Sequence, residues 1–127
     1  MGFFLTFYSV DKDTVLEPVT GEGGIGKTFE YDEVFNNDAV SPKRIASWKN
    51  QHTLAEIMAA ANLCSNDDLG PWVITKDDIP LIISEITARN NEQNDDRWND
   101  YEGLKLFLIL KNKSFDFDKD WFIFTAG

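Results

Sequence analysis

The first residues with chemical potential form a glycine-rich segment, Gly21-Glu22-Gly23-Gly24-Ile25-Gly26-Lys27-Thr28. Gly21, Gly26, Lys27 and Thr28 occupy the fixed positions of the pattern G-x-x-x-x-G-K-[ST]. Glycines allow backbone N–H groups to approach a phosphate closely. A lysine at this spacing neutralises the phosphate charge, and the threonine hydroxyl can bind Mg²⁺. The segment therefore has the residue types needed to bind a nucleoside triphosphate.

Locally this segment resembles the phosphate-binding loop of P-loop NTPases. That resemblance implies a buried strand before the loop and a helix after it, with the helix N-terminus facing the phosphate. Here the preceding Val15–Val19 is short and contains Pro18, and Phe29–Val34 alternates with period two, which indicates a strand. The pattern favours a hairpin connection that binds no nucleotide or other cofactor. Nucleotide binding through Gly21, Gly26, Lys27 and Thr28 stays as an alternative.

A second group of residues indicates a binding surface, because it combines acidic and aromatic side chains. This acidic stretch, Glu92–Glu102, holds five acidic residues, one arginine and two aromatic residues: Glu92, Asp95, Asp96, Asp100, Glu102, Arg97, Trp98 and Tyr101. Aromatic anchors surrounded by acidic side chains suit an interface with a basic protein. The alternative is a helix N-terminus rich in acids, with Trp98 and Tyr101 facing the core.

A smaller acidic group flanks Trp72. It consists of Asp67, Asp68, Asp77 and Asp78. We predict that Asp67, Asp68 and Trp72 also contact the partner, whereas Asp77 and Asp78 favour the start of a helix. The cations Lys43, Arg44 and Lys49 form the one basic cluster in the sequence and are interpreted as a solvated helix face.

The residue types give little support for a metal site or for catalysis. Asp116, Asp118 and Asp120 are spaced like calcium ligands, but the positions that require glycine and glutamate hold Trp121 and Gly127. The chain has one cysteine and one histidine, so a zinc site or a nucleophile–base pair cannot be assembled with confidence. We therefore predict no metal site and no enzymatic activity.

Composition and charge narrow the class of partner. The chain has 127 residues, of which 43% are hydrophobic, and 22 acidic residues against 12 basic ones give a net charge of −10. This charge repels nucleic acid and anionic membranes, so we expect a basic protein as partner. No apolar run approaches the roughly 18 residues of a membrane helix, and no basic segment of a signal peptide precedes Phe3. We therefore expect a cytoplasmic protein.

The patterning predicts a single α+β domain over residues 1–127. Strands are predicted at Phe3–Val10, Thr14–Val19 and Phe29–Asp32, which together form an antiparallel β-meander, and again at Trp72–Ile74 and Trp121–Phe124. Helices are predicted at Pro42–Asn50 after Ser41, at Thr53–Ala61, at Asp78–Asn90 and at Asp95–Lys111. Residues 104–110 have a strand as the alternative, because nearly all of them are apolar.

In size, acidity and aromatic content the chain resembles the small acidic immunity proteins that bacteria keep against the toxins of contact-dependent delivery systems. That resemblance implies a stoichiometric inhibitor, or antitoxin. Such a protein neutralises a basic toxin, often a nuclease, by covering the surface with which the toxin grips nucleic acid. A phage-encoded acidic mimic of nucleic acid is a related alternative.

Overall fold

The computed structural model describes residues 4–13, 18–20, 26–49, 52–60, 70–92 and 98–126. These residues form six strands and four helices, which confirms the α+β class. In chain order they are β1 (Phe4–Asp11), β2 (Val19–Thr20), β3 (Lys27–Thr28), α1 (Tyr31–Phe35), β4 (Lys43–Lys49), α2 (His52–Ala60), β5 (Trp72–Ile74), α3 (Asp78–Glu92), α4 (Trp98–Ser114) and β6 (Asp120–Ala126).

The strands form one sheet in the order β2-β3-β5-β6-β1-β4, and every pairing is antiparallel. The prediction of an N-terminal meander is wrong, because β1 pairs with β6 and β4 and not with β2. The apolar residues on both faces of β1 explain its place: they require a neighbour on each side and cover on each face. The C-terminal strand β6 therefore lies beside the N-terminal strand.

One face of the sheet packs against α2, α3 and α4. The core on this helical face contains Leu5, Phe7, Trp72, Ile74, Phe122, Phe124 and Ala126 from the sheet and Ile57, Met58, Ile79, Ile82, Ile86, Leu104 and Leu108 from the helices. Phe7 lies at its centre, with its ring centroid 5.0 Å from that of Phe107 and 5.6 Å from that of Phe122. The helical spacing predicted for α2, α3 and α4 is what brings these apolar residues together.

The opposite face of the sheet is covered by the segment that contains α1. Val10, Val73 and Ile123 of the sheet pack there against Phe29, Val34 and Val40. The predicted strand at Phe29–Asp32 is wrong, because the chain enters α1 at Tyr31. Tyr31 is 52% exposed whereas Phe29 and Val34 are buried, so the apparent period of two does not follow burial.

The predicted helix at Pro42–Asn50 is also wrong, because Lys43–Lys49 form β4 at one edge of the sheet. Phe7 pairs with Ala46 but Tyr8 pairs with Arg44, so Ile45 is an extra residue in a β-bulge. The bulge lets both Ile45 and Trp48 pack toward the helical core. Their spacing of three residues therefore imitates a helix although the backbone is extended.

The helices α2, α3 and α4 and the strands β1, β5 and β6 lie where they were predicted, with ends shifted by a few residues. Of the strand predicted at Thr14–Val19, residues 14–17 lie outside the described residues and Val19 begins β2. Asp78 stabilises the start of α3, because its carboxylate accepts hydrogen bonds from the backbone N–H and the hydroxyl of Thr75, at 2.8 and 2.9 Å. Residues 104–110 are helical, so the strand alternative is excluded. Among the described residues, no helix has the length and apolar character required to cross a membrane.

Candidate functional site

The acidic stretch joins two helices that pack against each other. Glu92 is the last residue of α3 and Trp98 is the first of α4. Asp95 and Asp96 lie outside the described residues, as do the side chains of Glu92, Trp98, Asp100 and Tyr101. Glu102 is half-buried in the second turn of α4. The stretch thus occupies the connected ends of α3 and α4, and its role as an interface stays a prediction.

The structure describes only part of the smaller acidic group, and it places Trp72 in the core. Asp67 and Asp68 lie outside the described residues. Trp72 is completely buried in β5, where it pairs with Phe124 of β6 and with Thr28 of β3. The prediction that Trp72 contacts a partner is therefore wrong, because its indole is part of the helical core.

The outer side of α4 carries a feature that the sequence analysis missed. Leu104 and Leu108 are completely buried, whereas Leu106 and Leu110 are 58% and 55% exposed. Leu106 and Leu110 are four residues apart and therefore neighbours on the helix surface; we call this pair the leucine face. Its signal was present in the sequence, because residues 104–110 hold more apolar side chains than a single buried stripe of a helix accommodates.

The described part of the glycine-rich segment, Gly26–Thr28, leads into a strand and not into a helix. Lys27 and Thr28 form β3, which pairs antiparallel with β2 on one side and, through Thr28, with β5 on the other. The Thr28 hydroxyl donates a hydrogen bond to the carbonyl oxygen of Pro71 at 2.8 Å. Gly26 has a φ of 64°, in the left-handed region that favours glycine.

The geometry of Lys27 and Thr28 argues against the nucleotide-binding alternative. In a phosphate-binding loop the lysine and threonine open a helix whose N-terminus faces the phosphate. Here both residues belong to a strand, and the threonine hydroxyl is engaged with the backbone. Gly21 lies outside the described residues. The prediction that this segment connects two antiparallel strands, with Thr28 in the second, is confirmed.

The aspartates before β6 form a turn. One carboxylate oxygen of Asp116 accepts hydrogen bonds from the backbone N–H groups of Asp118 and Lys119, at 3.1 and 3.2 Å. Such side-chain bonds to nearby amides stabilise turns. Within the part of the chain that the structure describes, no three His, Cys, Asp or Glu side chains are grouped to hold a metal ion.

A basic groove lies between the start of β4, the end of α4 and the turn before β6. Its volume is about 510 Å³. Its charged lining consists of four cations and two acids: Lys43, Arg44, Lys111, Lys119, Asp116 and Asp120. Lys43 and Arg44 were interpreted as part of a solvated helix face; they lie instead on an edge strand. The sequence shows no sign of the groove, because its cations are up to 76 residues apart along the chain.

Comparisons with known proteins identify no relative: no family model, no curated protein and no solved structure matches this chain. Function is therefore inferred from the residues and the geometry described above.

Proposed function

We propose that this protein is a stoichiometric inhibitor, similar in kind to acidic immunity proteins, that binds a basic toxin domain in the cytoplasm. The supporting observation is that the leucine face lies on α4, the helix that begins within the acidic stretch. An apolar centre with charged surroundings is the usual composition of a protein-binding surface. Leu106 and Leu110 supply the apolar contact, and the acids supply attraction to a basic partner.

The exposure of the two leucines is better explained by an interface than by a contribution to folding. Burying a leucine side chain fully stabilises a protein by about 1.5–3 kcal/mol, and the leucine face forgoes much of that in the isolated chain. Single exposed apolar residues are ordinary on protein surfaces. Two leucines one turn apart, on a helix that already buries Leu104 and Leu108 on its inner side, form a contiguous apolar strip.

The proposed mechanism is occlusion. A nuclease holds the phosphate backbone with lysine and arginine side chains. The acids of the acidic stretch pair with these cations, while the leucine face fixes the orientation of the complex and excludes water. Because like charges repel, the same acids disfavour partners that lack a basic surface. The inhibitor has no catalytic role in this mechanism and acts at one copy per toxin.

Co-expression tests the function directly. The probe is the protein encoded immediately upstream of this chain's gene, since an immunity gene usually accompanies the gene of its toxin. We expect that protein to stop growth when expressed alone, and the parent chain to restore growth. If growth stops equally with and without the parent chain, the inhibitor function is wrong.

Binding kinetics of the purified complex then test the surface. Leu106→Ser with Leu110→Ser should raise the dissociation rate about tenfold or more, because anchor residues carry most of the binding energy. Asp95→Lys with Asp96→Lys should mainly lower the association rate and its dependence on salt. The matched controls are Val19→Ser, which is 59% exposed on β2, and Glu30→Lys with Asp32→Lys beside or on α1. If a complex forms but the controls and the test variants have equal effects, its interface lies elsewhere.

A further inference from the structure

The basic groove is unusual because of the charge of the molecule that surrounds it. The chain has 12 basic residues against 22 acidic ones, yet four basic side chains line this one groove together with two acids. The groove lining therefore carries +2 within a chain of −10, and the rest of the chain carries −12. With acids nearly twice as common as bases, a chance distribution would favour acidic neighbours for these cations.

The cations in the groove outnumber its acids. Four basic residues line it, against Asp116 and Asp120. Asp116 already accepts two hydrogen bonds from the backbone of its own turn. The Lys111 ammonium lies 5.9 Å from the ring centroid of Phe107. The groove therefore has an excess of positive charge that suits an anionic ligand.

The edge strand and the helix dipole explain why some of these cations are present, but they do not explain why all four line one groove. Lysine and arginine on the edge strand β4 discourage pairing with another chain. Lys111 in the last turn of α4 complements the helix dipole. Neither role requires the side chains of β4, α4 and the turn before β6 to face the same groove. Gathering like charges there raises the energy of the free protein, and a bound anion would offset that energy.

We propose that this groove binds a small free ligand that carries two or more phosphate groups. The three lysines supply compact positive charges for phosphate oxygens. The Ser9 hydroxyl at the wall is a further donor. The volume of about 510 Å³ lies within the usual range for small-molecule sites.

Two features favour a small ligand over a nucleic acid or a membrane. The charge of −12 outside the groove repels an extended polyanion or an anionic bilayer. The half-buried side chains of Ile45 and Phe115 line the groove beside the cations. Phe115 is held there by Phe122, with ring centroids 4.9 Å apart, so the apolar part of the lining is fixed by the core.

Calorimetric titration at constant ionic strength tests this site, with pyrophosphate as the probe and sulfate as the control for general anion binding. Lys111→Gln with Lys119→Gln should weaken pyrophosphate binding about tenfold or more, because hydrogen bonds to charged groups are the strong ones. Lys27→Gln with Lys76→Gln removes the same charge from exposed positions outside the groove. This matched control should weaken binding less than threefold.

Equal losses in the two double variants would overturn the proposal, because they would indicate general charge attraction. Absence of any heat with pyrophosphate in the parent chain, or equal affinity for sulfate, would overturn it as well. Further arms use a short single-stranded DNA and phosphatidylglycerol vesicles, and tighter binding to either would exclude a small free ligand. Circular dichroism checks the fold of each variant. If the double variant unfolds, Lys43→Gln alone gives the same test at the edge strand.

Discussion

The two faces of the sheet are covered in different ways. Three helices cover one face, and the core beneath them contains Phe7, Trp72, Phe122 and Phe124 at 0 or 1% exposure. A five-residue helix and the segments beside it cover the other face, where the buried residues are mainly valines. Toward β4 this second face carries hydroxyl groups, and the hydroxyls of Thr6 and Ser47 lie 3.0 Å apart. We infer that the helical face supplies most of the stability.

This difference separates the parts of the molecule that hold the fold from those free to bind. The leucine face and the basic groove both lie at the boundary of the helical layer, where α4 meets solvent or the β4 edge. Rigid elements place them, but neither one is needed to complete the core. Substitutions in the core should therefore change stability, whereas substitutions at these surfaces should change binding.

Phe7→Ala should produce the largest loss of stability. Phe7 is completely buried and its ring contacts those of Trp48, Phe107, Phe122 and Phe124. Removing a buried phenylalanine from a well-packed core costs about 3–5 kcal/mol, since the cavity collapses only partly. Urea denaturation measures the change. If the variant is unfolded in buffer, Phe7→Leu gives a second measurement, for which we expect a smaller loss than for alanine because leucine fills part of the cavity.

The same substitution on the other face should cost less. Phe29 is 5% exposed and its ring contacts Trp121 at a centroid distance of 5.6 Å. Because α1 and its flanking segments form a thin cover, they can move into the vacated space. The loss for Phe29→Ala should be at or below about 3 kcal/mol, the lower end of the range. A loss equal to or larger than that of Phe7→Ala would show that the two faces contribute equally.

The faces also differ in how well their residues could be predicted from the sequence. On the helical face, apolar residues at helical spacing predicted α2, α3 and α4 correctly. On the other face, alternation at Phe29–Asp32 predicted a strand where the chain forms α1. The spacing of apolar residues reflects burial only where a helix or strand packs along its whole length. The five-residue helix α1 does not pack against the sheet along its whole length.

Non-local pairing explains the other misses. The strand β4 was predicted as a helix because Ser41-Pro42 is a common helix start. The spacing of Ile45 and Trp48 did not warn against a helix, because the bulge at Ile45 imitates helical spacing. Whether Ile45 lies in a bulge depends on its pairing with β1, more than thirty residues earlier in the chain. The burial of Trp72 depends in the same way on β6. The interface prediction for the acidic stretch rests on composition and stays a prediction.

Thr28→Val should destabilise the protein less than Phe7→Ala or Phe29→Ala. This substitution tests the pairing of β2 and β3 at the far edge of the sheet. Valine keeps the shape of threonine but loses the hydrogen bond to the Pro71 carbonyl oxygen. That oxygen also accepts the backbone N–H of Phe29 at 3.1 Å, so it keeps a partner after the substitution. The expected loss is about 1 kcal/mol, the usual net value of one hydrogen bond. Urea denaturation against the parent chain measures it.

Lys27→Ala is the matched substitution at the neighbouring position, and it should change stability by less than about 0.5 kcal/mol, as is usual for an exposed residue. Lys27 is exposed on β3 opposite Thr20. In a phosphate-binding loop Lys27 would matter more than Thr28, because there the lysine contacts the phosphates directly. Titration with ATP and Mg²⁺ should therefore give the same result for Lys27→Ala as for the parent chain. If the parent chain binds ATP and Lys27→Ala does not, the hairpin assignment is contradicted, because a lysine in a strand is not expected to contact phosphate.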